Sequence, residues 1–307
     1  MKAWMLSRKK FLWIGLFTFC AVPALSYEVD NFTDRESLTR DAAPVLDDKV
    51  NHYIQRAVNE ANEESPRHCN KVLLRQAMLR WVRPDPVSVF ELWATFTDEI
   101  QQIKTPVKNS IYRDASLWES PAIFFAGIGR SFKLGDHIIG TDKLGHFFMQ
   151  GHEYFMNYLD GEEVDHILEF DHHEDTYYGL SATGVKSYGD MSANYQGFLF
   201  WTHFYDGKNP YVRCEDGKKW VKAAREFTWN DYVSDAWDEA INCSEFLPTL
   251  APKVKRNLDK IGKTCPIKPD ACWSIAHLEK SKFFMSPACK AVVQQNSKKD
   301  PSVISAR

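Results

Sequence analysis

Beyond residue 26 the chain has no run of about 18 uninterrupted apolar residues, so no membrane-spanning helix is expected in that part. It has no CxxC pair, which weakens both a zinc-ribbon and a thioredoxin-type reading. It has no internal repeat and no excess of charge. Its 41 acidic against 38 basic side chains leave a net charge of −3, excluding the whole-protein basic footprint of a nucleic-acid binder. Neither disorder nor low complexity fits a chain that is 44% hydrophobic and 26% charged. The 307 residues suffice for one large domain or two smaller ones.

What is present points first to a compartment. Lys2, Arg8, Lys9 and Lys10 precede an apolar stretch from Phe11 to Val22, and Ala24-Leu25-Ser26 supplies the small residues of a cleavage site. Residues 1–26 therefore read as a secretory signal peptide, too short in its apolar part to span a bilayer, with a mature chain beginning near Tyr27. A lipid anchor on Cys20 is disfavoured by Phe19 before it. The expected localisation is periplasmic or secreted. Cysteine usage agrees: Cys69, Cys214, Cys243, Cys265, Cys272 and Cys289 remain after cleavage, an even set that suggests disulfides, chiefly within 214–289.

Apolar spacing predicts a mainly α-helical fold. Helices are expected at about 44–63, 71–82 and 87–103, then at 143–159, 162–179 and 189–204, then at 216–226, 229–241 and 250–261. Residues 121–141 read as a short hairpin or irregular segment, because Gly135-Asp136 separates two strand-like runs. The expected organisation is an N-terminal helical region (27–120), a motif-bearing helical-bundle core (121–210), a disulfide-stapled, Cys-rich helical part (211–295) ending in loops, and a flexible tail (296–307).

The motifs lie in that core. On one helix, Asp142, Lys143, Gln150, Glu153 and Asn157 fall within about 60° of His146, while the other faces are aromatic. Gly145 and Gly151, costly inside a helix, suggest close backbone approach. Asp171, Glu174 and Asp175 sit on or beside the apolar stripe of the next expected helix, where a carboxylate needs a partner or a raised pKa. Gly189-Asp190-Met-Ser-Ala-Asn194 opens the following one. The order Asp142-Lys143-x-x-His146-Phe147, then Glu174, then Asp190-x-x-x-Asn194-x-x-Gly197 resembles the VanZ-like family and the related periplasmic lipoproteins of the YfiM type. The resemblance covers about residues 140–204 and implies a shared helical core, with no reaction that carries over. The chain departs from VanZ-like proteins in lacking transmembrane helices and in its Cys-rich end.

Three functions suit this constellation. Asp142, Lys143, His146, Glu153, Glu174, Asp190 and Asn194 could supply acid, base and electrophile for a hydrolase or transferase acting on an envelope lipid, glycolipid or peptidoglycan. A divalent ion on His146, Glu153, Glu174 and Asp190 is the second possibility, against which the neighbouring Lys143 argues; no cofactor is otherwise expected. The third is a non-catalytic polar network that only specifies the helical core of an envelope protein. A lysozyme-like variant of the first would make Glu174 the general acid.

Overall fold

The computed structural model describes residues 28–83, 88–169 and 179–299. The expected signal peptide, the end of the tail from 300 onward, and Asp171, Glu174 and Asp175 lie outside the described residues.

Two N-terminal helices match their periodicity. Helix α1 (Ala43–Glu64) buries Leu46, Val50, Tyr53, Ile54, Ala57, Val58 and Ala61. Helix α2 (Lys71–Val82) starts at Asn70, whose side chain accepts from the backbone N–H groups of Val72 and Leu73, a stabilising N-cap. The next helix is shorter than expected. Helix α3 (Val89–Phe96) ends where the Gln102 amide donates to the carbonyls of Ala94 and Thr97, closing its last turn. Gln102–Ile103 instead form strand β1.

The segment expected as a hairpin begins with a helix, α4 (Pro121–Ala126), favoured by Pro at its first position and stopped by Gly127 at φ 82°. The hairpin follows: β2 (Ser131–Leu134) and β3 (His137–Gly140) pair antiparallel about Gly135-Asp136, and β1 adds to the β2 edge. Helices α5 (Asp142–Phe148) and α6 (Gln150–Leu159) replace the single helix expected over 143–159, with Met149 between them. Helix α7 (Val164–Glu169) begins the next expected helix. Strand β4 (Val185–Lys186) leads into α8 (Tyr188–His203), capped by Ser187.

Two expected helices do not form. Residues 212–222 make a hairpin, β5 (Val212–Glu215) and β6 (Lys219–Lys222), because Asp216 and Gly217 both take positive φ and reverse the chain. In place of a helix over 229–241 are two short 3-10 turns, Trp229–Asp231 and Asp235–Trp237, each started by a side-chain cap from Thr228 or Ser234. Strand β7 (Glu245–Phe246) pairs with β4, and α9 (Ala251–Lys260) follows as expected. The end is more helical than anticipated, with α10 (Ala271–Ala276), α11 (Ser281–Phe284) and α12 (Pro287–Lys299).

All six described cysteines pair: Cys69–Cys214, Cys243–Cys265 and Cys272–Cys289. Two bonds lie within the C-terminal part, while the first ties the approach to α2 onto β5. One hydrophobic cluster runs from Ala42 to Cys289. At its centre the Phe147 ring lies 4.8 Å from Trp229, 5.1 Å from Tyr232 and 5.4 Å from Phe200, so the tryptophans serve largely as core. Helices α5 and α6 press against α8 through glycines. A methyl on Gly197 would lie 1.9 Å from the Phe147 carbonyl oxygen, and one on Gly151 would lie 2.5 Å from the Gly197 Cα. Among the described residues, no helix is long and apolar enough to cross a membrane.

Candidate functional site: a lysine among buried carboxylates

Lys143 occupies the second position of α5 and is wholly occluded. Its ammonium lies 2.8 Å from Asp142 Oδ2, 2.5 Å from Asp190 Oδ1 and 2.8 Å from Glu239 Oε1. Three local devices set this geometry. The β3–α5 junction places Asp142 beside the lysine. The Ser187 hydroxyl accepts from the Asp190 N–H and donates to Glu239, fixing the start of α8 against the segment after the second 3-10 turn. That segment is held in turn by Asp238, which takes a bidentate bond from Arg35 at 3.1 and 2.7 Å. Gly189 gives the lysine stem room, since a methyl there would lie 2.9 Å from its Cε.

His146, one turn further along α5, faces α8. Its Nδ1 lies 2.9 Å from Asn194 Oδ1 and its Nε2 3.3 Å from Asp190 Oδ2. The Asn194 amide also donates to the Tyr154 hydroxyl at 3.3 Å, which orients its oxygen toward the imidazole. Both ring nitrogens therefore face a side-chain oxygen on α8.

Two further carboxyls close the cluster. Glu28 is buried, and burial, followed by the nearby Glu239 and Asp190, raises its pKa well above the ordinary value, against a Thr183 hydrogen bond and Lys143. Glu91 on α3 fills the space left by Gly145, whose hypothetical methyl would lie 2.1 Å from Glu91 Oε2. Burial, then Asp142 and Asp190, raises its pKa well above the ordinary value too. Asp142 is raised chiefly by burial although Lys143 opposes the shift, and its Oδ1 has no hydrogen-bond partner among the described residues. The three carboxylates and burial act oppositely on Lys143, whose pKa rises well above its usual value because the carboxylates outweigh desolvation. Five buried carboxyls thus surround one ammonium and one imidazole. The acids outnumber the cations, and burial raises the pKa of Glu28, Glu91 and Asp142.

Asp142, Asp190 and Glu239 present oxygens within 4.8 Å of one another, a spacing a divalent ion could use. The Lys143 ammonium stands among them, so the position a metal would take is held by a cation of the chain's own. Of the seven residues expected at the site, Asp142, Lys143, His146, Asp190 and Asn194 come together. Glu153 does not join them. It is exposed on α6, whose buried positions are Gly151, His152, Tyr154 and Phe155. Gln150 and Asn157 are only half-buried. Glu174 lies outside the described residues. Sequence reasoning missed Glu28, Glu91 and Glu239. Glu91 left a signal, a lone acid inside Val89-Phe90-x-Leu92-Trp93-Ala94, whereas Glu239 stands beside Asp238 and left none.

No family model, curated protein or solved structure matches the chain.

Proposed function

We propose that the protein is an exported cell-envelope enzyme that performs acid–base chemistry, hydrolysis or group transfer, on an envelope lipid or glycan, with a helical core related to that of VanZ-like and YfiM-type proteins. The observation that carries this proposal is the surplus of acid in the cluster: a purely structural network is best served by balanced charge, whereas this one adds Glu28 and Glu91, whose raised pKa values favour holding a proton for delivery. His146 is the proton carrier, held by Asn194 and facing Asp190. Lys143 holds Asp142, Asp190 and Glu239 close, and provides the positive field that stabilises a developing oxyanion. Export is supported by the three disulfides, which persist in oxidising compartments. Kinship with the VanZ-like pattern is supported by the meeting of its Asp-Lys-x-x-His and Asp-x-x-x-Asn-x-x-Gly pieces around one point.

One observation favours a second role. Lys143 is fully enclosed and engaged by three carboxylates, as it would be in a network that merely specifies the core. Replacing His146 by Gln and Asp190 by Asn in the cell, with melts of the purified variants and profiling of envelope lipids and glycans, separates the two. Catalysis predicts near-normal melts with an altered profile. A structural network predicts large losses of stability in both variants, and an unaltered profile wherever the variant still folds. Insensitivity of the wild-type melt to EDTA is expected under both and argues against a metal.

A further inference from the structure

The large aromatic side chains of this chain are mostly interior, with Trp201, Trp229 and Trp237 at 0% exposure. Three break the pattern together. Trp118 is 89% exposed, Phe124 60% and Phe125 71%, all within eight residues of one another. The Phe124 and Phe125 rings lie edge to face at 5.4 Å. Their exposure is not a matter of loose chain. Ile123 and Ala122 anchor α4 inward, and the Ala122 N–H donates to the Ala182 carbonyl at 2.9 Å. Glu119, next to Trp118, accepts from the Ser116 backbone and hydroxyl and from Lys253 at 2.7 Å. Solvating so much aromatic surface on a rigid mount is unfavourable unless something covers it.

The surroundings identify the cover. Helix α9 lies against this segment through Lys253–Glu119, Arg256–Asp114 at 3.2 Å and Arg113–Asn257 at 2.9 Å. Residues 104–126 and 251–263 together hold eight Lys and Arg against three Asp and Glu; Lys253, Lys255 and Arg256 pair with acids of this set and Lys263 with Glu36, which leaves a local excess of four positive charges in a chain whose net charge is −3. Protruding Trp and Phe within a basic surround are complementary to a membrane surface, where the rings enter the headgroup boundary and the cations meet anionic lipid. We infer that the Trp118–Phe124–Phe125 face docks the protein onto a bilayer containing anionic phospholipid.

The segment that carries the docking face is linked to the cluster by a short stretch of chain. The Glu119 carbonyl packs on Gly184, from which β4 runs directly to Ser187 and Asp190. Resting on the enzymatic role proposed above, the face narrows the substrate class to a lipid or lipid-linked molecule held in that bilayer.

The test is co-sedimentation of the purified protein with vesicles of phosphatidylcholine, with and without phosphatidylglycerol. Binding should require phosphatidylglycerol, weaken with salt, and fall roughly tenfold or more in the triple variant Trp118→Ser/Phe124→Ser/Phe125→Ser. That variant changes only exposed positions, and an unchanged melt verifies its fold. Brominated lipid should quench tryptophan fluorescence in wild type more than in Trp118→Ser. No binding, or binding indifferent to the triple variant, overturns the proposal. So does self-association that the triple variant abolishes, which would make a second copy the cover. A His146→Gln protein that still binds vesicles but leaves the lipid profile altered separates the docking face from the chemistry.

Discussion

Replacing Lys143 by Met keeps the stem and removes the charge, which makes it the sharpest perturbation of the cluster. At an effective dielectric constant of about 20, each ammonium–carboxylate contact near 2.8 Å carries about 6 kcal/mol of attraction before desolvation. Once the ammonium is gone, carboxylates up to 4.8 Å apart repel one another by about 3.5 kcal/mol or more per pair on the same scale. Part of this is offset, because the variant no longer buries an ammonium and its carboxyls can take up protons. The net loss expected for breaking a buried ionic cluster is about 3–5 kcal/mol. At a few degrees per kcal/mol, the melting temperature should fall by on the order of 10 °C at neutral pH. The deficit should shrink as pH falls toward 5, since protonated carboxyls no longer repel. Thermal melts across that range measure both. A deficit below about 2 °C, or one that grows on acidification, would refute the electrostatic account of the cluster.

Glu91→Gln tests proton retention by a single group. The native carboxyl keeps its proton above the ordinary value of 4.5 while the unfolded one ionises, so wild-type stability falls as pH rises from there, and the variant should gain on wild type over the same interval. Gly197→Ala drives a methyl into the Phe147 carbonyl and should cost about 3 kcal/mol or prevent folding, read by denaturant titration, whereas an exposed Gly217→Ala clashes with nothing and pays only for its positive φ. Cys69→Ser/Cys214→Ser opens a link across 145 residues and should lower stability by about 3–5 kcal/mol while the other two disulfides persist, counted by mass spectrometry of the alkylated protein.

Legibility followed the range of the forces involved. The faces of α1 and α2 were readable because 3.6-residue periodicity is local and strong, and the Asp142-Lys143-x-x-His146 and Asp190-x-x-x-Asn194 pieces because polar residues stood where apolar ones were due. Glu153 was misplaced because a shared polar stripe does not tell which of its turns is buried: α5 is enclosed along its whole length, whereas α6 buries Gly151, His152, Tyr154 and Phe155 and leaves Glu153 exposed. Residues 216–226 read as a helix, but the left-handed Asp216-Gly217 pair reverses the chain there. Glu28 and Glu239 were invisible for a different reason: their meeting with Lys143 is set by tertiary packing, the Arg35–Asp238 clamp above all, and no spacing along the chain encodes it.

The most direct measurement is the infrared absorption of protonated carboxyl groups in the folded protein at neutral pH, where ordinary Asp and Glu absorb only as carboxylates. A protonated-carboxyl band is expected, reduced in part by Glu28→Gln and in part by Glu91→Gln, and abolished on unfolding. A spectrum showing every carboxyl ionised in the folded protein would contradict a proton-holding cluster around Lys143 and leave its acids with a structural role alone.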